Sequence, residues 1–285
     1  MLNVIRPGVW SSIQDLGRHG FRHLGVPVSG AMDADASRFA NMLLNNPESA
    51  AVLEMTMNGP ELEFESASCI AIAGANMQPQ LNGEPVHMHT AINVFPGDRL
   101  QFDHTLDGLR SYLAIEKGFQ TEVNMGSASY YPNITKKQRI EKGDQLSYIE
   151  CTHRREESHA AVNIDPAYFK RHSLEVFAGP EYQQLGKSRQ LALRNAKFRV
   201  SNLYDRSAYQ LQEKFKNILK PILTSAVLPG TVQLTPSGRL IILMRDCQTT
   251  GGYPRVLQLN EAAINLLSQK KMGDKVSFSM LPDKG

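Results

Sequence analysis

Lys142-Gly143-Asp144-Gln145-Leu146-Ser147-Tyr148 and Met272-Gly273-Asp274-Lys275-Val276-Ser277-Phe278 share one layout, and Pro96-Gly97-Asp98-Arg99-Leu100-Gln101-Phe102 repeats it a third time. Each is a Gly-Asp turn followed by strict alternation of polar and apolar residues. Gly-Asp supplies turn chemistry, and a period of two marks a half-buried strand. The last two copies fall where a closing strand would end each of two related domains. A second echo agrees: Asn58-Gly59-Pro60-Glu61 resembles Ala178-Gly179-Pro180-Glu181. Between the halves, Thr152-His153-Arg154-Arg155-Glu156-Glu157-Ser158-His159 is charged and aperiodic, so a linker is expected within 151–170. The domains are accordingly read as 1–155 and 165–285, each of ordinary size for one core.

Strand signals dominate around these turns. Glu61–Glu65 and Leu174–Val176 alternate, whereas Ile70–Ala73 and Leu240–Met244 are continuous apolar runs of the kind buried on both faces. Asp33 or Asp35 can cap a helix running to Leu44, with Ala36, Phe39, Ala40, Leu43 and Leu44 on one face. Asn260 can cap another over Glu261–Gln269, with Ile264 and Leu267 inward. Many short strands with few helices predict a mainly β chain built as two closed or nearly closed β-barrels.

Bulk properties exclude several classes. A net charge of +3 without a Lys/Arg stripe does not suit nucleic acid. No apolar run approaches the roughly 20 residues that span a bilayer, and the first residues lack a signal-peptide layout. Cys69, Cys151 and Cys247 are scattered and odd in number, which predicts reduced thiols and a cytoplasmic location.

Two polar loops stand out. Ser12-Ile13-Gln14-Asp15-Leu16-Gly17-Arg18-His19-Gly20 runs on to Gly25-Val26-Pro27-Val28-Ser29-Gly30-Ala31-Met32-Asp33, dense in glycine and charge. Arg245-Asp246-Cys247-Gln248-Thr249-Thr250-Gly251-Gly252-Tyr253-Pro254 follows directly on a buried run. Its Gly251-Gly252 pair is expected to gather backbone N–H groups into an oxyanion or carboxylate nest. Asp15 and Arg18 can form a carboxylate clamp and base, or an ion pair that fixes the loop. Asp33 reads first as a helix cap. Glu54, in apolar surroundings, must be paired or have a raised pKa. Three decoys are set aside. Gly179–Ser188 has six residues between its glycines where a P-loop has four, and Pro180 removes a donor. His87-Met88-His89 reads as a surface strand without a third zinc ligand, so no metal is expected. Cys247 reads as an inert thiol.

Read together, the loops resemble a known family. Gln14-Asp15-Leu16-Gly17-Arg18-x-Gly20, Gly25-Val26-Pro27-x-Ser29-Gly30-Ala31-Met32-Asp33 and Ala40-Asn41 look like the start of the allophanate hydrolase subunit 2, or biotin-dependent carboxyltransferase-like, family. Asp246-x-Gln248-Thr249-Thr250-Gly251-Gly252-Tyr253-Pro254 looks like its C-terminal signature, and Pro229–Gln233 and Leu267-x-Gln269 also fit. The resemblance implies two tandem cyclophilin-like β-barrel domains. It implies one component of an ATP-dependent 5-oxoprolinase, which opens 5-oxoproline to glutamate. The partners would be a kinase-inhibitor-like protein, the B-type 5-oxoprolinase component, together with a lactam-utilisation-type protein, the A-type component. Lacking a nucleotide motif, the chain would leave ATP to a partner, whose chemistry would phosphorylate the lactam oxygen before water attacks.

On this reading Asp15 and Asp246 would orient water or a proton. Gln14, Arg18, Gly30, Glu54, Arg206, Gln248, Thr249, Thr250, Gly251, Gly252 and Tyr253 would bind substrate. The glycine N–H groups would contribute ~3 kcal/mol per donor to developing negative charge. Two alternatives remain: a carboxyltransferase-type subunit whose biotin arrives on a partner, and a non-enzymatic antagonist of a kinase inhibitor. The chain departs from the family pattern at Lys117-Gly118, usually Gly-Gly. Ser127-Ala128-Ser129-Tyr130 stands for a Ser-Arg-Ser-Thr run. Asp205–Leu211 stands for Asp-Arg-Met-Gly-x-Arg-Leu.

Overall fold

The computed structural model describes residues 1–151, 165 and 167–282; the expected linker core, 152–159, lies outside them. The chain is mainly β, with three α-helices among the described residues: α1 (Ala34–Met42), α2 (Lys187–Asn195) and α3 (Glu261–Ser268). It divides into two compact units. The first holds Met1–Arg18 and Ser29–Asp165, and the second holds His19–Val28 and Pro166–Gly285. The opening glycine-rich loop is therefore shared out, with residues 19–28 belonging to the second unit.

All three Gly-Asp repeats use one device. Gly97, Gly143 and Gly273 have φ of 88, 87 and 89°, which closes the turn. Asp98, Asp144 and Asp274 each accept, on the carboxylate, the N–H three residues upstream, from Phe95, Glu141 and Lys271. A strand follows each: Arg99–Gln101, Gln145–Leu146 and Lys275–Met280.

In the first unit the strands form two sheets. One orders Gln145–Leu146, Leu2–Arg6, Glu61–Phe64, Arg99–Gln101, Gln80–Leu81 and Glu84–Pro85. The other orders Trp10–Gln14, Val52–Thr56, Arg110–Ile115, Ser68–Gly74 and Ala91–Val94. Leu2, Val4, Leu62 and Phe64 from the first sheet meet Ile13, Leu53, Met55, Ile70, Ile72, Leu113 and Ile115 from the second in one core. The alternate residues Val52, Cys69, Ala71, Ala73, Tyr112 and Ala114 pack on the opposite face under Phe39, Ala40, Leu43 and Leu44. This is why Ile70–Ala73 reads as unbroken hydrophobicity: the large side chains fill the inter-sheet core, and the alanines let α1 approach. Asp33 caps α1, its carboxylate accepting from the Ala36 N–H at 3.1 Å.

The second unit is a closed barrel. Its order is Ser173–Ala178, Arg255–Leu259, Thr231–Leu234, Leu240–Leu243, Ala208–Leu211, Phe198–Tyr204 and Lys275–Met280. Closure is parallel, with Ser173 opposite Ser277 and Val176 opposite Met280. The Gly-Asp repeat at Met272–Phe278 thus does close a barrel. Asn260 caps α3 as expected, accepting from the Ala263 N–H at 2.8 Å. Cys69, Cys151 and Cys247 are free and buried.

One local expectation changes. His87-Met88-His89 is a turn, with His89 at φ 65° and its N–H bonded to the Ile72 carbonyl. The Gly179–Ser188 stretch holds a short 3-10 turn (Tyr182–Leu185) before α2.

Candidate functional site

In the first unit, strand register gathers the polar residues. Val52–Thr56 runs between Trp10–Gln14 and Arg110–Ile115, placing Ser12 and Tyr112 on either side of Glu54. Leu53 and Met55 face the inter-sheet core, so Glu54, Arg110 and Tyr112 share the other face. Glu54 is fully buried. Its Oε2 accepts from the Met32 N–H at 2.7 Å and the Tyr112 hydroxyl at 3.0 Å, while Oε1 lies 3.9 Å from Arg110 Nε. The Tyr112 hydroxyl also accepts from the Asp33 N–H at 2.7 Å. Burial, reinforced by the nearby carboxylates of Glu54 and Asp33, holds that phenol well above its usual pKa, so it stays a donor. Glu54 thus anchors the Ser29–Asp33 turn at the start of α1. Gly30 (φ 86°) completes that turn: a Cβ there would lie 2.8 Å from the Gly17 nitrogen.

Asp15 is the second organiser of this unit. Its Oδ1 accepts from Gly17 N–H (2.7 Å), Ser127 Oγ (2.7 Å) and Ser129 Oγ (2.6 Å). Its Oδ2 accepts from Ala128 N–H at 2.7 Å. Arg18, fully buried, donates to the Ser129 carbonyl, so acid and base meet at Ser129. Gln14, also fully buried, donates to Ser12 Oγ at 3.0 Å. The departure at Ala128 therefore leaves Asp15 its partners, because the backbone N–H at that position makes the contact. Lys117 adopts φ 65°, the left-handed region that explains a usual glycine at its position.

The second unit carries the other loop. Asp246 is gripped in a fork by Arg206, Nε to Oδ2 at 2.8 Å and Nη2 to Oδ1 at 3.1 Å. Arg245 ties the loop to α3 through Glu261 and Asn265. Thr250–Gly251 pairs with Ser225–Ala226, and Arg255 clamps that ribbon by donating to Ser225 Oγ and the Ala226 carbonyl. Arg255 also forms a fork with Glu181, whose carboxyl its hydrogen bonds hold below the usual range. Gln248, Thr250 and Tyr253 are exposed, Thr249 and Gly252 partly so.

The Gly-Gly pair is not a nest. Neither glycine has positive φ, whereas a nest alternates between the two hands. Gly251 is glycine for space: a Cβ there would lie 2.5 Å from Gln233 Nε2. Cys247 is fully buried beside Arg22, and burial pushes its thiol up to about 11 despite that arginine.

Sequence reasoning singled out Gln14, Asp15, Arg18, Gly30 and Glu54, which lie in one unit, and Arg206, Asp246 and the 248–253 run, which lie in the other. It missed Tyr112, Arg110, Ser127 and Ser129, and in the second unit Arg22 and Gln233. The signal for Tyr112 and Arg110 was polar residues inside an otherwise apolar strand. The P-loop-like stretch does not fit a nucleotide: the N–H groups of Gly179, Glu181, Tyr182, Gln184 and Gly186 all donate to protein carbonyls. Among the described residues, no group of three or more His, Cys, Asp or Glu could hold a metal ion. No helix there is long and apolar enough to cross a membrane.

The family described as carboxyltransferase domain, subdomain A and B, matches residues 24–280. The chain belongs to this family. It is 32% identical over 284 residues to the C subunit of 5-oxoprolinase from Escherichia coli strain K12, covering 98% of this chain and 90% of that one. It is 29% identical to the C subunit of 5-oxoprolinase from Haemophilus influenzae, with the same coverage. The crystal structure of Kluyveromyces lactis urea carboxylase superposes with a TM-score of 0.88 at 26% identity, over 99% of this chain. This chain spans 27% of that much longer protein.

Proposed function

We propose that this carboxyltransferase-domain chain is the C-type subunit of an ATP-dependent 5-oxoprolinase, opening the lactam of 5-oxoproline to glutamate with partner subunits. One observation carries the reading: similarity to the C subunit of the Escherichia coli 5-oxoprolinase runs through both units and over 90% of that protein's length. The partners in this reading are a kinase-inhibitor-like protein of the B type together with a lactam-utilisation-type protein of the A type. ATP is assigned to a partner, in keeping with the closed Gly179–Gly186 turn.

Opening a lactam needs a carboxylate or donor close to the reacting carbon, and the two loop aspartates are the proposed groups. Asp246 keeps one acceptor site on each oxygen after the Arg206 fork, and Asp15 keeps one on Oδ2. Each is held by its donors in one rotamer, so orienting water costs little reorganisation. Gln14, Arg18, Gly30 and Glu54 would shape the first loop. Arg206, Gln248, Thr249, Thr250, Gly251, Gly252 and Tyr253 would shape the second. With general acid–base contributions of about 10²–10⁴-fold, Asp15→Asn and Asp246→Asn in the reconstituted complex should each lower kcat at least 100-fold. Retained turnover in both variants refutes the assignment.

The likeness to urea carboxylase favours a second reading, carboxyl transfer. The chain has no Met-Lys-Met attachment run, so biotin would arrive on a partner. Avidin capture of a biotinylated protein bound to this chain would favour it; turnover of 5-oxoproline by an avidin-insensitive complex would reject it.

A further inference from the structure

Two buried donors in the second unit have no acceptor among the described residues: Arg22 Nη1 and Gln233 Nε2. Gln233 is 2% exposed. Burying an amide N–H without a partner is costly, so such a group in a well-packed strand points to an acceptor from outside the chain. Arg22 and Gly251, the neighbour of the Gln233 amide, both border Val227. Arg22 Nη2 donates to the Val227 carbonyl. Gln233 Nε2 abuts Gly251, and the Cβ position of that glycine lies 3.4 Å from Val227 Cγ1. Val227 is joined to the 246–253 loop by its N–H, which donates to the Thr249 carbonyl at 3.1 Å.

Charge selects the ligand. The acid of this loop, Asp246, is already neutralised by the Arg206 fork. Arg22 has a carbonyl and the Cys247 thiol beside it and no carboxylate within 4.0 Å among the described residues, so it is the uncompensated cation of the loop. A guanidinium edge and a primary amide together match a planar oxyanion.

We propose that Arg22 and Gln233 form a carboxylate-binding subsite of the second unit, holding the carboxylate of the small-molecule substrate. Its ligand, 5-oxoproline, rests on the function proposed above; the subsite itself rests on the two donors. Segment 19–28 then has a purpose on this unit: it delivers the cation. Gly251 has one too, since a side chain there would displace the Gln233 amide.

The test titrates L-5-oxoproline into the isolated full-length chain and follows the Gln233 side-chain amide by ¹⁵N NMR, assigned by its loss in Gln233→Met. 2-Pyrrolidinone, the same lactam without the carboxylate, is the control. The expected result is a saturable shift with 5-oxoproline and none with 2-pyrrolidinone. Affinity should fall at least tenfold in Arg22→Gln and less in Arg22→Lys, which keeps the charge and loses the fork. Thermal unfolding confirms that each variant is folded. An unmoved amide, an equal response to both ligands, or wild-type affinity in Arg22→Gln overturns the subsite. Turnover by the reconstituted complex is scored separately. Turnover without the shift removes the subsite and leaves the function; the shift without turnover keeps the subsite and removes the function.

Discussion

Glu54 illustrates what one residue can announce in sequence. An acid in Leu53-Glu54-Met55 must be paired, and it is, by Arg110, Tyr112 and a backbone N–H. Which residues pair it was not legible, because strand register places them and a period of two names only a face. Asp15 was harder still. Its hydroxyl partners Ser127 and Ser129 lie 112 and 114 residues away. Removing one member of a buried ionic cluster leaves the rest poorly compensated, at a cost of about 3–5 kcal/mol. Glu54→Ala should therefore lose that much stability in urea unfolding, whereas Glu63→Ala, its partly exposed counterpart on the other sheet, should lose under ~1 kcal/mol. Equal losses would show that Glu54 is not the anchor of the Ser29–Asp33 turn.

At the scale of elements, what was local was legible. The Gly-Asp device joins residues three apart, and the caps Asp33 and Asn260 act within one helical turn, so composition alone located them. The nest failed because a Gly-Gly pair has two uses, positive φ or close approach, and only the packing of Gln233 on Gly251 decides. α2 escaped notice because its polar face leaves little periodicity, with Leu193 its one buried residue. The Glu181–Arg255 fork joins two elements and has a pH signature. Its hydrogen bonds depress the folded-state pKa of Glu181. Its stabilisation is thus present above the unfolded value of about 4.3 and lost as pH falls through the folded one. Glu181→Gln should be less stable than the wild type at pH 7, with a difference that shrinks toward pH 3. Chemical denaturation across that range measures it, and a constant difference contradicts the linkage.

For the whole molecule, the sequence repeats foretold a mainly β chain, and the second unit closes as a barrel. The first spreads its strands over two sheets, and residues 19–28 join the second unit although flanked on both sides by the first. No periodicity in the sequence marks that exchange. At one departure from the family pattern, Ala128, Asp15 stays bound through the backbone N–H. The central claim is that this chain is a required part of a 5-oxoproline-opening assembly. The direct measurement is ATP hydrolysis by the two partner proteins from the same source, with and without this chain, in the presence and absence of 5-oxoproline. The account predicts 5-oxoproline-dependent phosphate release with stoichiometric glutamate only when this chain is added. Equal glutamate formation without it, or none with all three present, would contradict the account.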